Sequence, residues 1–310
     1  MSKIVIALGG NALGNNPIEQ KDAIDLPAKK IVNLVKQGHN VLVGHGNGPQ
    51  VGMIFNAFIS ARKVDEKSPI MPFPEVGGMS QGYIGYHILT AFASELKRHN
   101  LNLDPLYFLT QTIVDEKDAA FQNPTKPIGP FYATLEDAEK NNPNSTIVED
   151  AGRGYRKVVA SPLPLDFIGI NAIKKNFENG ALVIVGGGGG IPTIIKNDNY
   201  IGVDGVIDKD FALQEIANKV DADIFVVLTA VDKVFINYGK ENQQALSNVT
   251  VSDLNKYISE NQFAPGSMLP KVKAAIRFVE KNKTGKAIIA SLDKLEEAIK
   301  MQSGTHITFN

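Results

Sequence analysis

Five short, continuously apolar runs do most to decide what this chain can fold into: Ile4-Val5-Ile6, Val41-Leu42-Val43, Leu182 to Val185, Ile224 to Leu228 and Ala287-Ile288-Ile289. None alternates as a strand with one wet face would, so each suits a strand covered on both sides, the condition of a parallel sheet. Helical patterns separate them, among them Lys29 to Lys36, Phe167 to Phe177 behind Asp166 as N-cap candidate, and Lys271 to Val279 behind Pro270. This alternation predicts an α/β fold with helices on both faces of the sheet. Ligands in open sheets of this kind sit beyond the carboxyl ends of the strands, so the residues that follow the runs carry the functional information.

The rhythm breaks at about residues 115–162. Pro124, Pro127, Pro130 and Pro143, the polar run Asn141 to Ser145, and Gly152-Arg153-Gly154 displace the core-strand texture, although Lys157 to Ala160 reads as a short strand or hairpin arm. A structureless loop of this length inside a compact domain is unusual, so an inserted, protruding subdomain or lid is expected. The 310 residues are otherwise read as one domain, 1–310, without internal repeats.

Glycine clusters follow three of the runs: Gly9-Gly10-Asn11, Gly44-His45-Gly46-Asn47-Gly48-Pro49, and Gly186 to Gly190. Any one of them serves equally as a tight strand-to-helix turn or as a backbone cradle for an anion. Three together favour a phosphate site, and Gly48-Pro49 adds a helix N-terminus facing the same place.

Charge and composition narrow the ligand. With 32 Lys plus Arg against 33 Asp plus Glu there is no global basic field for nucleic acid, so an anionic ligand must be met by locally placed cations. The absence of cysteine removes disulfide scaffolds, thiolate nucleophiles, cysteine zinc sites and iron–sulfur clusters. The uncharged stretches Gly77 to Ser94 and Ala181 to Ile195 are too glycine-rich and too polar to suggest a membrane span, and the run at Ile4 to Leu8 is too short for a secretory signal. A cytoplasmic protein is expected. Neither Gly-Lys pair is followed by Ser or Thr, which excludes a P-loop, and no Gly-x-Gly-x-x-Gly occurs.

The segments Ala7 to Leu13, His45 to Gly52, Met79 to Tyr86, Asn123 to Phe131, Gly152 to Arg156, Val206 to Asp210 and Ala264 to Lys271, in this order over essentially the whole chain, resemble carbamate kinases. The resemblance implies the amino-acid-kinase fold, a three-layer α/β/α sandwich around an open, mostly parallel sheet with a protruding subdomain, assembled as a homodimer. It further implies reversible phosphoryl transfer between ATP and carbamate, with ADP and carbamoyl phosphate as products and Mg2+ carried mainly by the nucleotide phosphates. No nucleic acid, membrane or protein-held metal is expected.

Phosphoryl transfer calls for cations and backbone donors around an in-line geometry, so the lysines matter most. Lys209 and Lys271 each stand at the start of a helical run, where a cation has the wrong sign unless an anion joins it. By resemblance Lys209 meets the nucleotide phosphates, Lys271 meets the transferring group, and Asp210 orders both. Lys126, a plain loop lysine by its surroundings, is by resemblance the cation of the acceptor side, where acetylglutamate kinases use a lysine at the position of Ala7. The resemblance assigns Gly9, Gly10, Asn11, Gly46 and Asn47 to carbamoyl phosphate, and Thr229, Ala230, Val231, Tyr238 and Met268 to the nucleotide, although the apolar members fit core packing equally well. His45 is expected to be structural or a minor ligand, because carbamate is already an anion and needs no general base. Arg153 and Arg156 either clamp an anion or pair with Glu149 and Asp150, and are left outside the catalytic set. Two rivals remain: another amino-acid kinase acting on a carboxylate or phosphate, and a nucleotide-sensing module without catalysis.

Overall fold

The computed structural model describes residues 1–9, 13–14, 16–143, 145–150 and 152–310. All five apolar runs are strands of one eight-stranded sheet. Across the sheet the order is Asn248–Thr250, Thr305–Thr308, Lys286–Ser291, Ile224–Thr229, Lys3–Ala7, Asn40–Gly44, Leu182–Val185, Pro105–Phe108. Among the described residues its one antiparallel pairing is between Lys286–Ser291 and Thr305–Thr308.

Burial on both faces explains why the runs are apolar throughout. Val5, Ala7, Leu42, Val183, Val185, Phe225 and Val227 enter one core, with Ile173, Phe177, Leu213, Ile216, Val272 and Phe278 from the covering helices. Their strand neighbours Ile4, Ile6, Val41, Val43, Leu182, Ile184, Val226 and Leu228 enter the other, against Ile24, Ile31, Ile84, Ile88 and Phe92. The period of two along each strand thus feeds two cores, and the fold is a three-layer α/β/α sandwich.

The first strand is flanked by Asn40–Gly44 on one side and Ile224–Thr229 on the other, with Ala7 level with both Gly44 and Val227. Chain order runs away from it in opposite directions. Such a switch point opens a crevice at the carboxyl ends, where Gly9, Gly46 and Thr229, the last residue of its strand, stand.

The stretch Gly77 to Ser94 lies inside the helix Phe73–Arg98, with Gln81, His87 and Glu95 among its buried residues. Among the described residues no helix is long and apolar enough to cross a membrane. One expected element is corrected. Asp166 does not cap a helix; Asp166–Phe167 is a strand paired with Thr112 and Ile113, and the helix Ile170–Glu178 begins behind Gly169 at φ 84°. A glycine supplies that left-handed start without strain, and the apolar pattern of Phe167 arises because it is buried in the same core from a strand. The other helix begins earlier than expected, at Met268, with Pro270 inside its first turn.

Residues 115–162 carry structure of their own. Strands Lys126–Tyr132, Thr146–Glu149 and Tyr155–Val159 form an antiparallel sheet, beside the helix Leu135–Asn141 capped by Thr134. Ile128 and Val159 of this sheet pack with Phe73, and Val51, Phe55 and Val206 close around them.

Candidate active site

Beyond the carboxyl ends of the central strands lies a cleft of about 730 Å³. Its walls bring together most of the residues singled out in the sequence: Gly9, Gly46, Asn47, Lys126, Lys209, Asp210, Thr229, Ala230 and Lys271. Gly10 and Asn11 lie outside the described residues. A second, more apolar pocket of about 270 Å³ adjoins it, lined by Thr229, Ala230, Val231, Phe235, Tyr238, Phe263, Ser267, Met268 and Lys271. Thr229, Ala230, Ser267 and Lys271 line both, so the two spaces meet where the lysine stands.

The charged centre is a triad. Asp210 Oδ1 accepts from Lys209 Nζ at 2.5 Å and its Oδ2 from Lys271 Nζ at 2.8 Å. The helix Lys209–Lys219 presents the first two of these residues in its opening turn, and the helix Met268–Lys281 presents the third. Asp208 caps the former helix by accepting from the Asp210 N–H at 2.9 Å. Burial alone would push the Asp210 carboxyl up, but the two ammonium groups outweigh it and hold the carboxyl below its ordinary range. Burial draws Lys209 down from the usual lysine range, with Asp210 opposing. A carboxylate with both oxygens taken up leaves two cations aimed at the cleft and one negative charge behind them.

Lys126 reaches the same cleft from the three-stranded antiparallel sheet, with Nζ 3.9 Å from Asp208 Oδ2. The glycine-rich loops supply the opposite wall. Asn47 Nδ2 donates to Ser80 Oγ at 2.9 Å, and Gly188, at φ 65°, donates its N–H to the carbonyl of His45 at 3.0 Å. A Cβ on Gly188 would stand 2.0 Å from Asn47 Oδ1, so only glycine allows this approach. Lys209 passes its stem over Gly46, whose added Cβ would meet Lys209 Cδ at 3.5 Å.

His45 is fully buried behind the loops. Its Nδ1 lies 2.9 Å from the Gly46 carbonyl and its Nε2 3.1 Å from the Tyr107 hydroxyl. The tautomer that satisfies both carries its proton on Nδ1 and accepts from Tyr107 on Nε2. Burial lowers its pKa to about 4 against the opposing bond to Gly46, which keeps it neutral near pH 7. Tyr107 is itself pushed up by burial. His45 is therefore a wedge that fixes the loop Gly46-Asn47. Arg153 and Arg156 pair with Asp150 at 2.9 and 3.1 Å, and Arg156 lies over the Phe131 ring.

Sequence reasoning left out Asp208 and the pocket residues Phe235 and Phe263. Asp208 could have been found, since an aspartate immediately before a helix is a capping signal. The two phenylalanines carry no signal that separates a pocket wall from a core.

A model of the amino acid kinase family matches residues 2–291. A carbamate kinase-like protein of Mycoplasma pneumoniae is 60% identical over 307 residues, 99% of each chain. A carbamate kinase of Staphylococcus haemolyticus is 48% identical over 309 residues, again 99% of each. The solved carbamate kinase of Giardia lamblia bound to AMP-PNP superposes with a TM-score of 0.93 at 39% identity, covering 99% of this chain and 98% of that one. The chain belongs to the amino acid kinase family, within its carbamate kinase group. This amino acid kinase is accordingly a phosphotransferase, and its fold is the one those relatives share. UMP kinase of Bacillus anthracis, at 15% identity and a TM-score of 0.54, shares the fold alone.

Proposed function

We propose that the protein is a carbamate kinase that transfers a phosphoryl group reversibly between ATP and carbamate, and that it runs towards ATP in the breakdown of carbamoyl phosphate during arginine fermentation. The single observation that carries the reaction is the Lys209–Asp210–Lys271 triad where the cleft with the charged side chains meets the apolar pocket. The apolar pocket suits a nucleobase, and the cleft suits the anions that exchange the phosphoryl group.

The chemistry needs no proton to be removed from the acceptor. Carbamate attacks the γ-phosphorus through an oxygen that is already negative, the bond to the β-phosphate oxygen breaks, and ADP leaves with that electron pair. Lys209 and Lys271 neutralise the charge spread over the transferring oxygens, Asp210 holds both ammonium groups in place, and Lys126 covers the acceptor side. Asn47, Gly46, Gly9 and the Gly10-Asn11 pair orient carbamoyl phosphate. His45, neutral and bonded at both nitrogens, keeps the loop in shape.

Magnesium enters as the counter-ion of the nucleotide phosphates. Both Asp210 oxygens are engaged by lysines, and among the described residues no group of three or more His, Asp or Glu gathers to bind a metal. Residues 115–162 act as a lid that carries Lys126. Two copies of the chain form a homodimer; the helix Gly48–Val64 supports this, because it buries only Gln50 while carrying Met53, Ile54, Phe58 and Ile59.

The test supplies ADP, magnesium and carbamoyl phosphate and follows ATP. ATP formation well above the enzyme-free control is expected. No ATP, together with turnover of acetylglutamate or UMP, would transfer the chain to another substrate; nucleotide binding without any turnover would make it a sensor.

A further inference from the structure

Residues 203–208 run from the strand Asn199–Gly202 along the sheet of residues 126–159 to the helix Lys209–Lys219. Val206 N donates to the Ala160 carbonyl at 2.9 Å, Gly205 bridges Ala160, and Lys157 Nζ lies 3.0 Å from Asp204 Oδ2. The Val206 side chain packs on the apolar cluster of Phe73, Ile128 and Val159. The segment then runs straight into Lys209 and Asp210, the opening residues of their helix.

Asp208 is the last residue of this strap, and its two oxygens have separate tasks. Oδ1 accepts from the Asp210 N–H at 2.9 Å, while Oδ2 stands 3.9 Å from Nζ of Lys126, the first residue of the strand Lys126–Tyr132. A carboxylate lining a cleft whose occupants are anions opposes their binding. Its counterpart explains its presence. With side chains 40% and 20% exposed, the Lys126–Asp208 pair is weak and easily exchanged, unlike the buried contacts of Asp210. A weak pair suits a resting contact, one that keeps a flexible ammonium at the cleft without competing strongly with a phosphate.

We propose that Asp208 is a positioning residue for Lys126: it holds the ammonium over the cleft while the acceptor side is empty and keeps it oriented when it turns to the phosphoryl anion of carbamoyl phosphate. One side chain then links the lid to the cap of the catalytic helix. The assignment rests on the carbamoyl phosphate reading above.

Asp208→Asn separates the two tasks, because asparagine caps a helix about as well as aspartate but carries no charge. With initial rates measured against each substrate, the variant should show kcat about tenfold lower from loss of positioning. Its KM for carbamoyl phosphate should be about threefold lower or more, since a repelling charge is gone, and its KM for ADP should stay within about twofold. In a Lys126→Met background the same substitution should change kcat by less than about twofold, as coupled partners do. Kinetics equal to wild type, or an undiminished loss in the Lys126→Met background, would overturn the proposal. Amide hydrogen exchange of residues 122–132 needs no substrate: it should be faster in Asp208→Asn, and unchanged exchange overturns the proposal. A wild-type protein that makes no ATP yet shows this difference would locate the failure in the carbamoyl phosphate reading instead.

Discussion

Lys271 Nζ lies 2.8 Å from Asp210 Oδ2, a contact between the opening turns of two helices that are 61 residues apart in sequence. With Lys209 on the other oxygen, a single buried carboxylate sets the spacing of two cations. Lys209→Ala and Lys271→Ala should each lower kcat by about 10²-fold or more, the scale of a lost electrostatic donor at a transition state. Asp210→Asn should do as much while keeping both lysines, because their anchor is lost. Steady-state rates decide it, and near-normal turnover in any of the three would remove that residue from the proposed roles.

In the proposed reaction Lys126 serves the acceptor side alone. Lys126→Met should raise the KM for carbamoyl phosphate and lower kcat by about tenfold or more, while leaving the KM for ADP within about twofold. Equal rises in both KM values would mean that the lysine serves the nucleotide, or only the fold.

His45 predicts how stability depends on acid. Its folded pKa is about 4 against an ordinary value of 6.5, so the unfolded chain takes up the proton first as the pH falls. Stability from this residue is whole above about pH 6.5, declines between there and about pH 4, and by then has fallen by about 3 kcal/mol. Denaturant midpoints across this window should flatten in His45→Gln, even if that variant is less stable throughout. An unchanged slope would mean that His45 titrates alike in the folded and unfolded protein.

Gly188→Ala places a methyl group 2.0 Å from Asn47 Oδ1 on a backbone at φ 65°. A loss of about 1–3 kcal/mol is expected from the strained backbone, and more from the displaced Asn47. Thermal unfolding of Gly188→Ala with and without Asn47→Ala separates the two: the second substitution should recover part of the loss, and no recovery would show that Asn47 moves aside freely.

Five strands of the central sheet were legible because residues buried on both faces leave continuous apolar runs, and Leu182 to Val185 can be little else; the short strands Pro105–Phe108, Asn248–Thr250 and Thr305–Thr308 toward its two edges carry no β-branched apolar run and were not. The glycine loops were legible because their spacing after strands is itself the signal. Asp166 misled because an aspartate before an apolar pattern is equally a cap or the start of a short strand, and only the pairing with Ile113 decides. The Lys209–Asp210–Lys271 geometry needed the fold, since nothing local relates residues 61 apart. Phe235 and Phe263 were hidden for the opposite reason: in the sequence an apolar side chain that lines a pocket reads the same as one that fills a core.

The most direct measurement is phosphorus NMR of carbamoyl phosphate, ADP and magnesium with catalytic amounts of the protein. The carbamoyl phosphate resonance should disappear as the γ-phosphate of ATP rises in equal amount, and Lys209→Ala should slow both together. Decay of carbamoyl phosphate at the enzyme-free rate, with no γ-phosphate signal, would contradict the account.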